Sequence, residues 1–220
     1  MAKIINANNL TKIYGEKETS VTALDDINIE FRENEFTAIM GPSGSGKSTL
    51  LHCLAGLDRP TSGKIFLKGN DIATLNDKEL TKIRRDSFGF IFQAFNLIPT
   101  LTAEENITLP ASIAGRKPDM DWVKEVVETV DIADRLSHRP NELSGGQQQR
   151  VAAARAMATK PEVIFADEPS GNLDSKSSRE LLTFMKSVVE ELNQTIVMVT
   201  HDRTSPDDND LSMFDFFSCH

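Results

Sequence analysis

The sequence predicts an α/β protein with a largely parallel sheet. Short apolar runs at 36–40, 162–166 and 195–200 have the length of buried strands. Patterns of helical spacing lie between such runs, and strands that alternate with helices build parallel sheets because each helix carries the chain back across the sheet. The chain has 220 residues, which is enough for one large domain with a substantial core.

The individual elements follow from periodicity and from the residues that start or stop them. Strands and turns fill most of the first third, and the helix at 77–85 is predicted to be capped by Asp77. Prolines punctuate the helical patterns in the middle of the chain, which predicts a helical insert at about 95–159. The predicted strands are 27–31, 36–40, 63–68, 162–166 and 195–200. The predicted helices are 47–55, 77–85, 103–114, 121–130, 145 to about 159, and 175–192.

Composition narrows the class of protein. The formal charge of −9 argues against broad phosphate neutralisation, so no nucleic acid partner is expected. No apolar run reaches the roughly 18 to 20 residues that span a bilayer, and the N-terminus does not resemble a signal peptide. The two cysteines, Cys53 and Cys219, fit neither a metal cluster nor a redox motif. We therefore expect a cytosolic protein in which one cysteine is a buried small hydrophobic residue.

Residues 41–48 read GPSGSGKS and match the phosphate-loop pattern GxxxxGK[ST] between a predicted strand and a predicted helix. The glycines allow a tight turn that points several N–H groups at phosphate oxygens, and the N-terminus of the helix adds a favourable partial charge. Lys47 can reach the β- and γ-phosphates, and the Ser48 hydroxyl can bind Mg²⁺. The alternative is a glycine-rich turn without a ligand. The predicted nucleotide contacts in this loop are Gly41, Ser43, Gly44, Ser45, Gly46, Lys47, Ser48 and Thr49.

Polar side chains follow two of the predicted strands. Asp167 and Glu168 end the strand at 162–166, and ligands of open α/β sheets gather at the carboxyl ends of strands. Asp167 suits Mg²⁺ binding, and Glu168 is placed to act as a general base on an attacking water. His201 ends the strand at 195–200 in the same way. The alternatives are a solvated turn before Pro169 and a histidine with a structural role.

Residues 143–147 read LSGGQ and begin 20 residues before Val163. The chain here resembles the ABC transporter ATP-binding proteins, whose signature motif has these letters. Ser144 and the two glycines at a helix N-terminus present a second set of N–H donors for an anion. The resemblance covers residues 1–202 and implies an ABC ATPase core of the P-loop NTPase type. Its mixed, largely parallel sheet would be joined by an N-terminal antiparallel β subdomain and a helical subdomain insert.

The resemblance also implies roles for single residues. Tyr14 matches the aromatic residue that stacks on adenine, and Gln93 matches the glutamine that senses Mg²⁺ and the γ-phosphate. Asp174, in the motif Asn172-Leu173-Asp174, matches a loop that crosses between subunits, and His201 matches the histidine that contacts the γ-phosphate. The family forms a head-to-tail dimer. The implied catalytic residues are Lys47, Gln93, Glu168 and His201, the metal site is Ser48, Gln93 and Asp167, and the contacts to the partner's ATP come from Ser144, Gly145, Gly146 and Gln147.

Only 120 residues separate Lys47 from Asp167, which leaves no room for a long inserted coiled coil. Residues 56–63 and 92–107 resemble the bacterial subfamily of macrolide exporters, lipoprotein-release ATPases and antimicrobial-peptide export systems. This resemblance implies a transmembrane permease partner, a position on the inner face of the membrane, and export or membrane extraction. A regulatory module of a membrane complex that transports nothing is the alternative. Residues 203–220 form a tail that departs from the family pattern, so we expect the sheet edge beyond the strand at 195–200 to be affected.

Overall fold

A computed structural model describes residues 2–171, 175–201 and 212–215, and in these ranges two β-sheets pack with six helices. The strands are β1 (Lys3–Tyr14), β2 (Val21–Arg32), β3 (Phe36–Met40), β4 (Ser62–Leu67), β5 (Asn70–Asp71), β6 (Phe88–Phe92), β7 (Val163–Asp167), β8 (Ile196–Thr200) and β9 (Ser212–Asp215). The helices are α1 (Lys47–Leu54), α2 (Asp77–Ser87), α3 (Ala103–Ile113), α4 (Met120–Thr129), α5 (Gly145–Met157) and α6 (Ser175–Leu192). The predicted α/β class is confirmed.

The first sheet is antiparallel and is built mostly from the N-terminal part of the chain. Its strand order is β2-β1-β4-β5, and β1 pairs with both β2 and β4. Ile5, Ala7 and Leu10 on β1 are buried, whereas Asn6 and Asn8 on either side of Ala7 are more exposed. This alternation is typical of a sheet with one face against the core and the other in solvent.

The second sheet is parallel, with the strand order β6-β7-β8-β3-β9. Every residue of β3 and β8 is buried, as expected for strands covered on both faces. The strand β8 does not border the edge of the sheet, because it lies between β7 and β3. The edge lies beyond β3, where β9 from the divergent tail pairs in the register Thr37↔Ser212 to Met40↔Asp215.

The core has two parts, one on each face of the parallel sheet. The helix-side cluster includes Val126, Ala154, Ile164, Met185 and Met198. The sheet-side cluster lies between the two sheets and α1, and it includes Leu10, Phe31, Leu50, Phe165 and Val197. Successive residues of β7 and β8 enter opposite clusters because side chains alternate along a strand. Cys53 is buried in the sheet-side cluster, as predicted, and burial raises the pKa of its thiol to about 12.

The helices agree closely with the sequence patterns, with one correction at the start of α2. The N-cap of this helix is Asn76 and not Asp77, since the Asn76 side chain accepts a hydrogen bond from the Glu79 N–H. The Glu79 carboxylate in turn accepts one from the Asn76 N–H, which completes a capping box. Between β6 and β7 the regular elements are all helical, namely α3, α4, α5 and two short 3-10 turns. In the described ranges, no helix is both long and apolar enough to cross a bilayer.

Candidate functional site

The phosphate loop lies between β3 and α1, at the carboxyl end of the parallel sheet. Gly46 has a φ of +94° and precedes the first residue of α1, and a Cβ atom there would lie 2.3 Å from the Ala23 carbonyl oxygen. Only glycine fits this position without a shift of the backbone. The first turn of α1 leaves its N–H groups without partners inside the helix, so the loop presents donors to an anion.

The Lys47 side chain folds back across the loop. Its Nζ donates to the carbonyl oxygens of Gly41 and Pro42, each at 2.8 Å, and the residue is 4% exposed. The ammonium group therefore lies against the backbone of the phosphate loop. This places a positive charge beside the donors that a phosphate would use.

Asp167, the last residue of β7, faces the start of α1. The Ser48 hydroxyl donates to Asp167 Oδ1 at 2.9 Å, and His52 Nε2 lies 3.0 Å from Oδ2. Because a carboxylate only accepts hydrogen bonds, the proton of this contact lies on the histidine. Burial opposes ionisation of Asp167, but the hydrogen bonds from His52 and Ser48 and the charges of His52 and Lys47 outweigh it and lower the pKa of Asp167. The hydrogen bond with Asp167 raises the pKa of His52, although the burial of His52 acts in the opposite direction.

The residues around Asp167 fit a magnesium ion by the chemistry of their donors. Mg²⁺ prefers oxygen ligands and is usually bound by one or two carboxylates together with phosphate oxygens and waters. A hydroxyl oxygen and an ionised carboxylate oxygen lie 2.9 Å apart here, next to the phosphate loop. His52 was not predicted as a site residue. The available signal was its spacing of four residues from Ser48, which puts both side chains on one face of α1.

Glu168 and His201, which follow neighbouring strands, lie side by side. His201 Nδ1 is 3.3 Å from Glu168 Oε2, and both side chains are partly exposed. Glu168 has a φ of +45°, a left-handed conformation that is uncommon for residues other than glycine. Its N–H donates to the Val199 carbonyl at 3.0 Å, and its carbonyl accepts from the Gly171 N–H at 3.0 Å. The carboxylate is thus held at the rim of the sheet, where water can reach it.

Gln93 lies one residue beyond β6, whose last residue, Phe92, pairs with Asp167. A Cβ atom built on Gly171 would lie 2.7 Å from Gln93 Nε2 and 3.0 Å from its Cδ. The glutamine amide therefore packs directly against the loop at 168–171. The structure brings Gln93 into the same region as Asp167 and Glu168.

Tyr14 lies at the surface at the end of β1, and its ring is held by a small polar network. The hydroxyl donates to Asp58 Oδ2 at 2.6 Å, and Lys12 Nζ lies 4.7 Å from the ring centroid. Lys12 Nζ also donates to Asp58 Oδ1 at 2.7 Å. Burial and the hydrogen bond to Asp58 raise the pKa of Tyr14, although a hydrogen bond with Thr49 of the phosphate loop opposes them. Asp58 was not predicted as a partner of Tyr14, because the two residues lie 44 positions apart in the chain.

The signature residues form the exposed start of α5. The Ser144 hydroxyl accepts from the Gln147 N–H at 3.3 Å, and Gln147 Oε1 accepts from the Ser144 N–H at 2.9 Å. Ser144, Gly145 and Gly146 are exposed, and within the described ranges a Cβ atom on either glycine would meet no atom within 4 Å. This helix terminus therefore presents its donors to the outside of the molecule. Asp174 lies outside the described residues, together with the rest of its loop.

The fold and the site together define a P-loop nucleotide-binding protein with residues suited to hydrolysis at the carboxyl end of a parallel sheet. The family described as "ABC transporter" matches residues 24–171. The chain is 48% identical over 204 residues to an uncharacterised ABC transporter ATP-binding protein of Thermotoga maritima, covering 92% of this chain and 87% of that protein. The chain belongs to the ABC transporter family, and it is an ATPase subunit of this type.

The chain is also similar to two other members of the family. The chain is 45% identical to the macrolide export ATP-binding/permease protein MacB of Marinobacter nauticus, covering 90% of this chain but 31% of MacB. A dimeric structure of MJ0796, a transporter cassette of Methanocaldococcus jannaschii, has a TM-score of 0.78 at 45% identity and covers 90% of this chain and 88% of that one. A second dimeric structure of MJ0796, with a TM-score of 0.77 at 44% identity and the same coverage, is a post-hydrolysis state bound to ADP and phosphate. As an ABC cassette the chain binds and hydrolyses ATP, and these relatives support a dimer and a membrane partner.

Proposed function

We propose that this ATPase powers the export or membrane extraction of a substrate through a separate transmembrane permease, from the cytoplasmic face of the membrane. The proposal is supported by the 45% identity to the MacB protein of Marinobacter nauticus and by the similarity of residues 92–107 to the exporter subfamily. The observation that most directly supports ATP hydrolysis is that two pairs of side chains lie at the same rim of the sheet. These pairs are Ser48 with Asp167, and Glu168 with His201.

The proposed chemistry takes the roles that the family resemblance implies, and the positions of the side chains support it. Lys47 binds the β- and γ-phosphates, and the exposed ring of Tyr14 stacks on the adenine. Ser48 and Asp167, with Gln93 beside them, would hold Mg²⁺, which neutralises charge that develops on the phosphate oxygens. Glu168 accepts a proton from the attacking water, and His201 positions the γ-phosphate beside it.

We also propose that two copies assemble head to tail. Ser144, Gly145, Gly146 and Gln147 of one copy would then contact ATP held by Lys47 of the other, and Asp174 would lie near the boundary. The exposed N-terminus of α5 supports this arrangement, since its donors point away from its own chain. ATP would hold the two copies together, and its hydrolysis would release them.

The substitution Glu168→Gln tests the proposal. Glutamine keeps the size of the side chain but cannot accept the proton, so ATP should bind without being hydrolysed and the dimer should persist. We expect a stable dimer at saturating MgATP, measured by size-exclusion chromatography with light scattering. The matched control is Glu125→Gln on the exposed surface of α4, which should behave as the unchanged protein. A Glu168→Gln protein that remains monomeric at saturating MgATP would contradict the proposal.

A further inference from the structure

Gln149 connects the signature helix to the loop that carries Glu168. It lies on α5, five residues after Ser144, and is 4% exposed. Its Nε2 donates to the Pro169 carbonyl at 2.8 Å, inside the protein. Pro169 immediately follows Glu168 in the chain. One end of α5 is the proposed surface for a partner's ATP, and a buried amide about 7.5 Å further along the helix contacts the loop that carries Glu168.

The backbone around Glu168 needs such contacts. The φ of +45° at Glu168 is a conformation that residues with a side chain adopt at a cost in free energy, and it persists only where the surroundings enforce it. The Val199 carbonyl fixes the Glu168 N–H, and the Gly171 N–H fixes the Glu168 carbonyl. Gln149 fixes the next carbonyl along the chain, that of Pro169. The three hydrogen bonds come from β8, from the loop itself and from α5.

We propose that Gln149 is a positioning residue that holds Glu168 in its hydrolysis geometry and links this geometry to the signature helix. The inference rests on the proposed roles of Glu168 and of the dimer. A shift of α5 when its N-terminus contacts a partner's ATP moves Gln149, and with it the carbonyl next to Glu168. The signature of a subunit thereby influences hydrolysis at the phosphate loop of the same subunit.

Gln149→Met tests this role because methionine has a similar length and no N–H donor. We expect kcat for ATP hydrolysis to fall about tenfold to hundredfold, which is no more than the low end of what a general base contributes, and KM for ATP to change by less than about twofold. We also expect the variant to accumulate an ATP-dependent dimer, as Glu168→Gln does, because hydrolysis is slowed after the dimer forms. A purely structural defect would weaken the dimer instead.

Trp122→Phe is the matched control for the loss of one hydrogen bond to α5. Trp122 Nε1 donates to the Met157 carbonyl at 2.9 Å, at the other end of the same helix. This variant should keep kcat and should not trap a dimer. Gln149→Leu, which also lacks a donor but packs differently, should show the same separation of kcat from KM as Gln149→Met.

The results with these variants distinguish a failure of the role proposed for Gln149 from a failure of the proposed function. If Glu168→Gln traps the dimer and neither variant at Gln149 does, Gln149 does not act through Glu168 and the inference is overturned. If both variants at Gln149 lose ATP binding and unfold at a lower temperature than Trp122→Phe, its role is structural and the inference is again overturned. If Glu168→Gln itself fails to trap a dimer, the proposed function fails.

Discussion

At the scale of single residues, the site depends on contacts between side chains that are distant in sequence. Asp167 and His52 are 115 residues apart, and Glu168 and His201 follow different strands. Local motifs can be recognised in the sequence, and such motifs contain Lys47, Ser48, Asp167 and Glu168. A partner such as His52 carries no motif of its own, because its role depends on which face of α1 meets the end of β7.

The contact between His52 and Asp167 predicts a pH dependence of stability in protein free of magnesium. Because Asp167 raises the pKa of His52, the contribution of His52 is fully present below its unfolded pKa of about 6.5 and is lost as pH rises through its folded pKa. Because the pKa of Asp167 is lowered, its contribution is present above about pH 3.9 and is lost as pH falls through its folded pKa. We therefore expect His52→Asn to lower the melting temperature most between about pH 4 and 6.5, where both contributions are present.

This prediction is checked by thermal unfolding of both proteins in EDTA from pH 5 to pH 9. The difference in melting temperature between the unchanged protein and His52→Asn should narrow as the pH rises. The size of the effect is limited because the His52 side chain is 38% exposed and solvent screens its charge. A difference that is independent of pH would contradict the assigned contact.

The packing of Gln93 against Gly171 gives a second prediction at this scale. Gly171 does not have a left-handed φ, so alanine can adopt its backbone conformation, but the new methyl group would lie 2.7 Å from Gln93 Nε2 and 3.3 Å from the Glu168 carbonyl oxygen. The far end of a glutamine can move, so stability should change by less than about 1 kcal/mol. Displacement of a positioned group is costly for catalysis, and kcat should fall about tenfold or more. Steady-state kinetics should also show that Gly171→Ala causes little further loss of kcat in a protein that already carries Gln93→Ala. An equal loss of kcat with and without Gln93→Ala would contradict this prediction.

At the scale of elements, helix α2 illustrates how capping decides where an element begins. The first acidic residue of the pattern, Asp77, suggested the cap, but the capping box is formed by Asn76 and Glu79. We expect Asn76→Ala to lower the free energy of unfolding by about 1 kcal/mol, because it leaves the Glu79 N–H without its acceptor. Asp77→Ala should cost less, since its carboxylate is 92% exposed and pairs with Arg59 at the surface. Urea denaturation of both variants measures the difference, and a larger loss for Asp77→Ala would contradict the assignment.

The same scale shows which elements the sequence can predict. The helices were predicted to within a few residues because each shows apolar spacing, and α2, α3, α4 and α5 also begin at a capping side chain. Strand β6 was missed, since it starts at Phe88 directly after α2 ends at Ser87, with no glycine or proline between them. Gly89 also weakens the strand pattern. It is needed because α5 packs closely there, and a Cβ atom would lie 2.4 Å from the Ala156 carbonyl. Pairing with β7, aided by the edge-to-face contact of Phe88 with Phe165, stabilises this strand.

Strand β9 could not be predicted for a related reason. Its segment lies in the part of the chain that departs from the family pattern, and nothing in its letters identifies a partner strand. It pairs with β3, the strand that leads into the phosphate loop, and so covers one edge of the parallel sheet. The order of strands in a sheet depends on long-range contacts, which periodicity along one segment does not contain.

At the scale of the whole molecule, the proposed head-to-tail arrangement uses two copies to bring the phosphate loop of one chain to the signature residues of the other. Mixing two inactive variants tests this arrangement. Lys47→Ala removes the phosphate contact, and Gly146→Asp places a carboxylate where the partner's phosphate would lie. The second variant should fold normally, because a Cβ atom at Gly146 meets nothing within 4 Å in the described ranges and an acidic residue is favourable in the first turn of a helix.

Each variant alone should hydrolyse ATP poorly, because both composite sites of its homodimer are damaged. In a mixed dimer, the Gly146→Asp subunit supplies an intact Lys47 and the Lys47→Ala subunit supplies an intact signature, so one of the two sites is complete. We therefore expect the mixture to hydrolyse ATP faster than either variant at the same total concentration, with a maximum near equal amounts. If each site were built within one chain, every chain in the mixture would still carry its own defect. A mixture no more active than its components would thus exclude the head-to-tail arrangement.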